Sequence, residues 1–285
     1  MAGKVSAVFA EKGFPLFRGV RSGIILYLLN VLCLMARQSG ILKIEGKIDG
    51  ISFYRKDGKY YARRSGGVSG ARIRNDPRYR RTRENVAEFS EVARQGKLVR
   101  TAFRRELVGN ASGNATARLG SALYRVLKTD GVNRRGERKV SAGDLGLLEG
   151  FGFNANASVD TALAAPLGLA FDDSAEKVTW AGTVLPARDV VAPSGATHFR
   201  LRLAAASLDF DNAGQVSASA TGPETAVDSL DEVAVALEAG YDKSLSGHTL
   251  ALAGIEFLQA MNGELYPLSN GAYNAMGIAG YHSAV

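Results

Sequence analysis

Alternation of apolar and polar residues is clearest in the segment 41–64, which reads ILKIEGKIDGISFYRKDGKYYARR. Two Asp-Gly pairs, Asp49-Gly50 and Asp57-Gly58, divide this segment into three runs. Asp-Gly between alternating runs is typical of a two-residue hairpin turn, because both central residues need a positive φ. The pattern therefore predicts a three-stranded meander with strands near 41–48, 51–56 and 59–64.

A helical period begins after the Gly/Ser loop at 65–70. Asp76-Pro77 is a favourable helix start, since Asp caps the first turn and proline needs no amide partner there. Apolar residues then recur at helical spacing: Val86, Phe89, Val92, Ala93, Val99, Phe103 and Leu107. We therefore expect a helix over 77–107, in which Gly96 marks a kink or close packing.

Two shorter helices are expected downstream. The segment 115–128 has an apolar helical face formed by Ala117, Leu119, Leu123, Val126 and Leu127. Ser141 and Asp144 resemble a capping box, which predicts a short helix that ends near Gly150.

Period-two alternation dominates beyond residue 150. Phe199, Leu201 and Leu203 share one face of a predicted strand, and Arg200 and Arg202 share the other. Further alternating positions are Val233, Val235, Leu237, Leu250, Leu252, Ile255 and Phe257. A slip in the last run near Gly254 indicates a β-bulge.

Turn signals separate these strands, at 211–214 (Asp-Asn-Ala-Gly) and at Asn262-Gly263. Short strands with regular turns predict an antiparallel β-sandwich of Ig-like type. The expected fold class is α+β, with a β-meander and basic helices followed by the sandwich. We place the boundary near 140–155, which gives domains 35–150 and 151–285.

Charge is divided unequally along the chain. Residues 1–140 contain 30 Lys/Arg and 11 Asp/Glu, whereas residues 141–285 contain 5 and 17. A basic front joined to an acidic back indicates an interaction surface or two different modules.

Residues 1–34 allow two interpretations. An apolar run from Ile24 to Ala36 follows several cations, is short for a membrane span of about 20 residues, and has the length of a signal-peptide core. One interpretation is a signal or anchor, which would place the protein at the cell surface. The other is a leader or an artefact of the assigned start, with Met35 as the true first residue and a cytoplasmic location. In the second case, a chain beginning at Met35 should keep the thermal midpoint of the full chain.

Catalytic and metal-binding motifs are not found in the sequence. One cysteine, Cys33, and three histidines are too few for a Cys/His zinc site. No G-x-S-x-G elbow, P-loop or strand-associated G-x-G-x-x-G occurs. Asp209 and Asp211 could hold calcium loosely, but a solvated hairpin end is the favoured interpretation. We expect no enzymatic activity, no cofactor and no metal.

Aromatic and basic residues are interleaved in the predicted meander, around Tyr54, Tyr60 and Tyr61. Basic side chains neutralise phosphates, and exposed aromatic rings stack on unpaired bases, so this pattern is compatible with nucleic-acid binding. The alternative is that the aromatic rings pack on the 77–107 helix and the charges are solvated. The dense arginines at 72–83 oppose the dipole of that helix, which hints at a partner.

The chain resembles a family of uncharacterised proteins common in Bacteroidetes. The matching stretches are MARQSGILKIEGKIDGISFY at 35–54, ARRSGGVSGARI at 62–73 and DPRYRRTRENVAEFSEVARQGKLVRTAFR at 76–104. Looser matches are GATHFRL at 195–201 and EFLQAMNGELYPLSNGAYNAMGI at 256–278. Members of the family begin at the position of Met35, and the resemblance implies no known activity.

These observations favour a non-enzymatic structural or assembly protein that associates with itself head to tail, as a surface fibre, appendage or phage-type subunit. The alternative is a nucleic-acid-binding protein that uses the basic half. The expected partner is a further copy of the chain, in a homo-oligomer or filament, and no membrane span is expected. Candidate residues of the basic face are Arg63, Arg64, Arg72, Arg74, Arg78, Arg81, Arg100 and Arg104. Candidate residues of the acidic face are Asp228, Asp231, Glu232 and Glu238.

Overall fold

The computed structural model describes residues 35–64, 67–112, 114–245 and 247–283, and the expectations for residues 1–34 lie outside this part of the chain. Two compact units divide between Ile73 and Arg74. We call them the N-terminal unit and the C-terminal unit. Within the described ranges, no helix is both long enough and apolar enough to cross a bilayer.

The N-terminal unit is an antiparallel sheet of four short strands in the order β1-β4-β3-β2. The strands are β1 (Met35–Arg37), β2 (Gly46–Ile48), β3 (Ile51–Lys56) and β4 (Lys59–Arg64). Asp49 and Gly50 have φ values of 43° and 77°, and Asp57 and Gly58 have 50° and 73°. Both Asp-Gly turns and the strands at 51–56 and 59–64 are thus confirmed, whereas the strand predicted at 41–48 is formed only over Gly46–Ile48. The sequence analysis does not predict β1, which pairs with β4 across 23 or more intervening residues.

Helices occupy the first part of the C-terminal unit, and α1 (Gly70–Asn75) spans the division between the units. A 3-10 turn (Pro77–Tyr79) leads into α2 (Arg80–Ala102), followed by α3 (Arg104–Leu107) and α4 (Ala115–Thr129). Asp76 caps the 3-10 turn by accepting a hydrogen bond from the amide of Arg78. The single predicted helix is therefore interrupted at Phe103, whereas the 115–128 prediction is confirmed almost to the residue.

The apolar face of α2 begins later than the helical period predicts. Val86 and Phe89 are each 57% exposed, whereas Val92 is buried in the core. Phe89 stacks on Tyr124 of α4 with ring centroids 5.0 Å apart, so one face of its ring is covered. Gly96 marks close packing without a kink, since an added Cβ would lie 3.4 Å from Leu123 Cδ1.

The predicted capping box at 141–144 does not open an α-helix. Instead, the Asp144 carboxylate accepts the amide of Gly146 at 3.0 Å and caps a 3-10 helix (Leu145–Leu148). The backbone hydrogen bonds of a 3-10 helix join residues three apart in the chain, so a turn as short as this one can form it.

Antiparallel strands make up the rest of the C-terminal unit. They are β5 (Gly168–Asp172), β6 (Lys177–Val184), β7 (His198–Asp209), β8 (Gly214–Thr221), β9 (Thr225–Ala226), β10 (Val233–Gly240), β11 (His248–Met261), β12 (Glu264–Pro267) and β13 (Ala275–Ser283). Short helices α5 (Val159–Ala162) and α6 (Pro186–Asp189) and a 3-10 turn (Leu268–Gly271) connect them. The turns at 211–214 and at Asn262-Gly263 join β7 to β8 and β11 to β12, as predicted.

Two sheets are formed by these strands. A three-stranded sheet has the order β10-β6-β5. In the six-stranded sheet, β7 and β11 are central; β8 and β9 share the outer edge of β7, and β12 and β13 share the outer edge of β11. The antiparallel sheets include one curled half-barrel.

The six-stranded sheet is buried on both faces, which makes three layers. On one face, Ala204, Leu250 and Leu252 pack with residues of α2 and α4, such as Val99 and Leu123. The opposite face packs on the three-stranded sheet through a second set of buried residues: Phe199, Leu201, Leu203, Ile255, Phe257, Val178 and Trp180. The helices that the sequence analysis groups with the meander thus share a core with the strands.

Mixed helix and antiparallel sheet are therefore shown, but the Ig-like sandwich is not confirmed. A sandwich of that type has two sheets with solvated outer faces. Here α2 and α4 cover the second face of the larger sheet, so β7 and β11 carry buried apolar residues on both sides. The contacts divide the chain at Ile73 rather than at residue 150.

The slip near Gly254 has a different cause from the predicted bulge. The register irregularity lies between Ala251 and Leu252, opposite β13. Leu252 faces the helices, whereas Ile255 faces the smaller sheet, so the alternation is unbroken and the apparent slip arises because both faces of β11 carry apolar residues. Gly254 is required for close packing, because a Cβ there would collide with the Met276 sulfur.

Candidate partner-binding surfaces

The N-terminal sheet exposes aromatic and basic side chains on its strands. Tyr54 and Tyr61 are register partners, and their rings stack with centroids 5.7 Å apart. The Arg63 guanidinium lies 5.5 Å from the Tyr54 ring centroid, and that of Arg55 lies 5.7 Å from the Tyr60 centroid. The predicted interleaving thus forms cation–π pairs within the sheet.

Aliphatic side chains are also exposed in this unit. They are Ile41, Leu42, Ile44, Ile48, Ile51 and Val68. Ser52 is the one buried residue of β3 and β4, so the described sheet has no apolar core of its own. Three or more strands need a packed hydrophobic face for independent stability. This surface therefore has the composition of an interaction site.

The eight arginines of the predicted basic face belong to both units. Arg63, Arg64 and Arg72 lie in the N-terminal unit, on β4 and α1, and the other five lie in the C-terminal unit. Those five are Arg74, Arg78, Arg81, Arg100 and Arg104. Some of these arginines form ion pairs with carboxylates of the same chain.

Partners within the chain reduce the free charge at the start of α2. Arg78 pairs with Asp76 at 2.9 Å, and Arg81 pairs with Glu84 at 2.9 Å. The Glu84 carboxylate also accepts from Arg80 at 3.0 Å. Acidic residues in the first turns thus offset the unfavourable position of the arginines at the helix start.

The four acidic candidates are exposed, and they lie on or just before β10. Asp228, Asp231 and Glu232 are in the loop between β9 and β10. Glu238 is on β10 and pairs with Lys177 of β6 at 2.9 Å. The loop carboxylates therefore form the larger part of this acidic surface.

A buried ionic cluster on the helix-facing side of the larger sheet was missed by the sequence analysis. Glu256 is 5% exposed and accepts hydrogen bonds from Arg202 at 2.8 Å, Arg200 at 2.7 Å and Asn110 at 2.6 Å. Asn274 donates to Asn110 at 2.7 Å and accepts the amide of Phe257 at 2.8 Å. The cluster ties the loop after α3 to β7 and β11.

Alternation places Arg200 and Arg202 on one face correctly, but it cannot show that this face is covered. Burial raises the pKa of Glu256, and hydrogen bonds from Arg202 and Arg200 outweigh that effect, so its pKa lies below the usual value. The carboxylate therefore stays ionised at neutral pH. The sequence did contain one signal for this cluster, because Glu256 is a single carboxylate within an otherwise apolar strand. A charge buried in such a strand must be paired with an opposite charge.

A second polar cluster lies where β5 ends beside β13. The Asp173 carboxylate is 2.8 Å from His282 Nε2 and accepts the Tyr241 hydroxyl at 2.7 Å. These two hydrogen bonds hold the pKa of Asp173 below its usual range. The His282 ring also stacks on Phe171, with centroids 5.0 Å apart.

The acidic residues at the hairpin end between β7 and β8 form hydrogen bonds and an ion pair within the chain. Asp209 accepts the amides of Asp211 and Asn212 at 3.0 and 2.9 Å, and Asp211 pairs with Lys139 at 2.9 Å. Nowhere in the described ranges do three or more His, Cys, Asp or Glu side chains gather as metal ligands. This arrangement is that of a turn.

A cavity of about 740 Å³ lies between the two sheets at the β5 side of the C-terminal unit. Its apolar lining includes Leu163, Leu167, Leu169 and Trp180. Polar residues from the segment 154–161 line the other side. The volume is within the range of about 300–1,000 Å³ that is usual for binding pockets.

Comparisons of the chain with protein-family models, with curated proteins and with solved structures find no match.

Proposed function

We propose that this chain is a self-associating structural subunit in which the N-terminal unit of one copy binds the C-terminal unit of the next. The observation that carries the proposal is the exposed aliphatic surface of the N-terminal sheet. Ile41 and Leu42 are 102% and 84% exposed, and Ile44 and Ile48 are exposed nearby. Contiguous exposed aliphatic side chains mark interaction sites.

The edge of the N-terminal sheet supports the same proposal. β2 pairs with β3 on one side, and no backbone group of the described residues hydrogen-bonds to its other side. An open edge strand is a template for pairing with another chain. Lysines at an edge normally protect against such pairing. Within β2 this protection is limited to one charged residue, Lys47.

Charge favours contact between unlike units over contact between like units. Residues 35–73 contain nine Lys/Arg and three Asp/Glu, whereas the C-terminal unit contains 22 and 24 over residues 74–285, and its acidic part is residues 141–285, with 5 and 17. Contact between surfaces of like charge is unfavourable, whereas contact between surfaces of opposite charge is favourable and orients the two partners. A heterologous contact of this kind gives rings or filaments, which suits a fibre, appendage or phage-type subunit. Membership of the Bacteroidetes family that the sequence resembles is part of the same proposal.

The test is the average mass of the full chain as a function of concentration, measured by sedimentation at low salt. We expect the mass to rise for the natural sequence. The double variant Ile44→Lys/Ile48→Lys should remain monomeric at the same concentrations. The matched control, Val132→Lys/Val216→Lys, adds the same charge at exposed aliphatic positions of the C-terminal unit and should associate like the natural sequence.

Charge reversal gives the complementary test. Asp228→Lys, Asp231→Lys and Glu232→Lys together should weaken association while the monomer stays folded, because these residues are exposed loop positions. Salt should weaken association as well, since charges are screened over about 10 Å at 0.1 M. A natural chain that stays monomeric at every concentration would refute the proposal.

Nucleic-acid binding is the second candidate, and the Tyr54–Tyr61–Arg63 stack is the observation that favours it. The two rings lie 25° from parallel, and the Arg63 guanidinium lies over the Tyr54 ring; aromatic rings and guanidinium groups of this kind are the groups on which unpaired bases stack. If so, the full chain should bind a single-stranded oligonucleotide with a log–log salt slope of roughly −0.7 for each phosphate neutralised. Arg63→Ala/Arg64→Ala should flatten the slope, and absence of binding at low salt would exclude this candidate.

A further inference from the structure

We propose that the outer edge of β5 is the receiving site, and that the segment 42–48 of a second copy adds to it as an extra strand. This inference rests on the proposed self-association and names the two surfaces that meet. Strand addition supplies main-chain hydrogen bonds for affinity and side-chain pockets for specificity.

The outer edge of β5 is open in the described structure. β5 is the last strand of the order β10-β6-β5, and the backbone groups of Gly168–Asp172 have hydrogen-bond partners only in β6 among the described residues. Leu169 and Phe171 are partly covered, whereas Gly168, Ala170 and Asp172 are exposed. A strand beside β5 would therefore have one inward face and one solvent face.

The cavity of about 740 Å³ lies beneath this edge. Leu167 and Leu169 line it from the β5 side, Trp180 lines it from β6, and Ala253 and Ile278 line it from the larger sheet. The space is thus an unfilled part of the layer between the sheets. Inward side chains of an added strand would enter it and exclude water from apolar surface.

The segment 42–48 has the pattern that such a strand requires. Leu42, Ile44 and Ile48 fall on one face of an extended chain, and Lys43, Glu45 and Lys47 fall on the other. The three aliphatic side chains are exposed in the structure. They match the apolar lining of the cavity in character.

Charge at the receiving edge complements the donor segment. Asp172 is the outward residue at the end of β5, and Asp160 lines the rim of the cavity. Lys43 and Lys47 lie on the outward face of the donor segment. Opposite charges on adjacent strands stabilise the pairing, whereas like charges oppose it.

The receiving edge is held in place before any strand arrives. The His282–Asp173 contact at 2.8 Å and the Phe171–His282 stack, with centroids 5.0 Å apart, fasten the end of β5 to β13. A preformed edge reduces the ordering that binding requires. The donor must release two sets of contacts. The Gln38 side chain bonds the backbone of Ile44 at 2.9 and 3.0 Å, and Lys43 Nζ donates to the carbonyls of Gln38 and Gly40 at 2.9 and 2.6 Å.

Cysteine cross-linking tests this pairing in the full chain with Cys33→Ser as background. One copy carries Lys43→Cys, Glu45→Cys or Lys47→Cys, and the other carries Ala170→Cys on the outward face of β5. The control receiver is Ala236→Cys, an exposed alanine on β10, at the opposite edge of the same sheet. A disulfide needs Cα atoms about 4.4–6.8 Å apart, so it forms only between adjacent strands.

We expect mild oxidation to give at least ten times more heterodimer with Ala170→Cys than with Ala236→Cys for one donor position or more. A synthetic peptide of residues 41–48 should suppress the cross-link, and a peptide with serine at positions 42, 44 and 48 should not. If the mass still rises with concentration but the two receivers cross-link equally or not at all, the β5 site is wrong and self-association stands. If the mass does not rise, both proposals fail.

Discussion

The two units of this protein both contain antiparallel strands but bury very different amounts of side chain. In the N-terminal unit, Ser52 is the buried residue of the described sheet, and its aliphatic side chains are exposed. In the C-terminal unit, β7 and β11 are buried on both faces, by α2 and α4 on one side and by the smaller sheet on the other. Hydrophobic burial is the main favourable term in folding, so the C-terminal unit carries the stability of the chain.

The comparison also separates two uses of apolar residues. Alternating aliphatic residues in β7 fill a core, whereas alternating aliphatic residues at 42–48 remain exposed in the monomer. The same pattern thus serves folding in one unit and is available for association in the other. We expect mutations to reveal this difference as a loss of stability in one case and a loss of assembly in the other.

Core truncation should have the largest effect. Phe103→Ala removes a fully buried ring between the helices and the larger sheet, and should lower the free energy of unfolding by about 3–5 kcal/mol. Ile48→Ala, at an exposed position of the N-terminal sheet, should change it by less than about 0.5 kcal/mol. Urea unfolding at dilute concentration measures both. Equal losses would show that the two units do not differ as described.

Removing the buried carboxylate should have the next largest effect. Glu256→Gln leaves Arg200 and Arg202 without their shared anion. We expect the free energy of unfolding at pH 7 to fall by about 3 kcal/mol. This value is at the lower end for a broken buried ion pair because Arg200 is 30% exposed. The pKa of Glu256 is lowered in the folded state, so its contribution is complete above the usual pKa near 4.3 and is lost as the pH falls through the lowered value.

The difference in stability between the natural sequence and Glu256→Gln should therefore shrink between about pH 5 and pH 3. Glu264→Gln is the control, since Glu264 is exposed on β12 and pairs with no cation among the described residues. A difference that stays constant down to pH 3 would contradict the ionic cluster.

Gln38→Ala should have only a small effect on stability, and its main effect should be on association. This change removes the side-chain hydrogen bonds to the Ile44 backbone, which are exposed in part and should contribute less than about 1 kcal/mol. If strand addition must release this contact, the variant should associate several-fold more tightly than the natural sequence in the sedimentation series. Weaker association would indicate that Gln38 organises the donor segment instead.

Local signals account for the parts of the fold that the sequence predicts well. The Asp-Gly turns need positive φ values, which few residue types adopt readily, and the observed values follow. The helix at Ala115–Thr129 has a strong apolar face and matches its prediction. Both features depend on residues close together in the chain.

Long-range packing accounts for the parts that the sequence predicts poorly. Whether α2 covers the larger sheet depends on contacts between distant segments, so neither the three-layer arrangement nor the exposure of Val86 follows from periodicity. Alternation places Arg200 and Arg202 on one strand face, but for the same reason it does not show that this face is buried. The open edge of β5 depends on which strands lie beside it, and no single stretch of sequence contains that information.

Hydrogen exchange as a function of protein concentration tests the central claim most directly. The account predicts that amides in the segment 41–48 and in Gly168–Asp172 become protected as the concentration rises, while the amides of β7 and β11 are protected at every concentration. Protection that increases elsewhere, with both segments unchanged while the mass rises, would contradict the claim that the N-terminal sheet joins the β5 edge of the next copy.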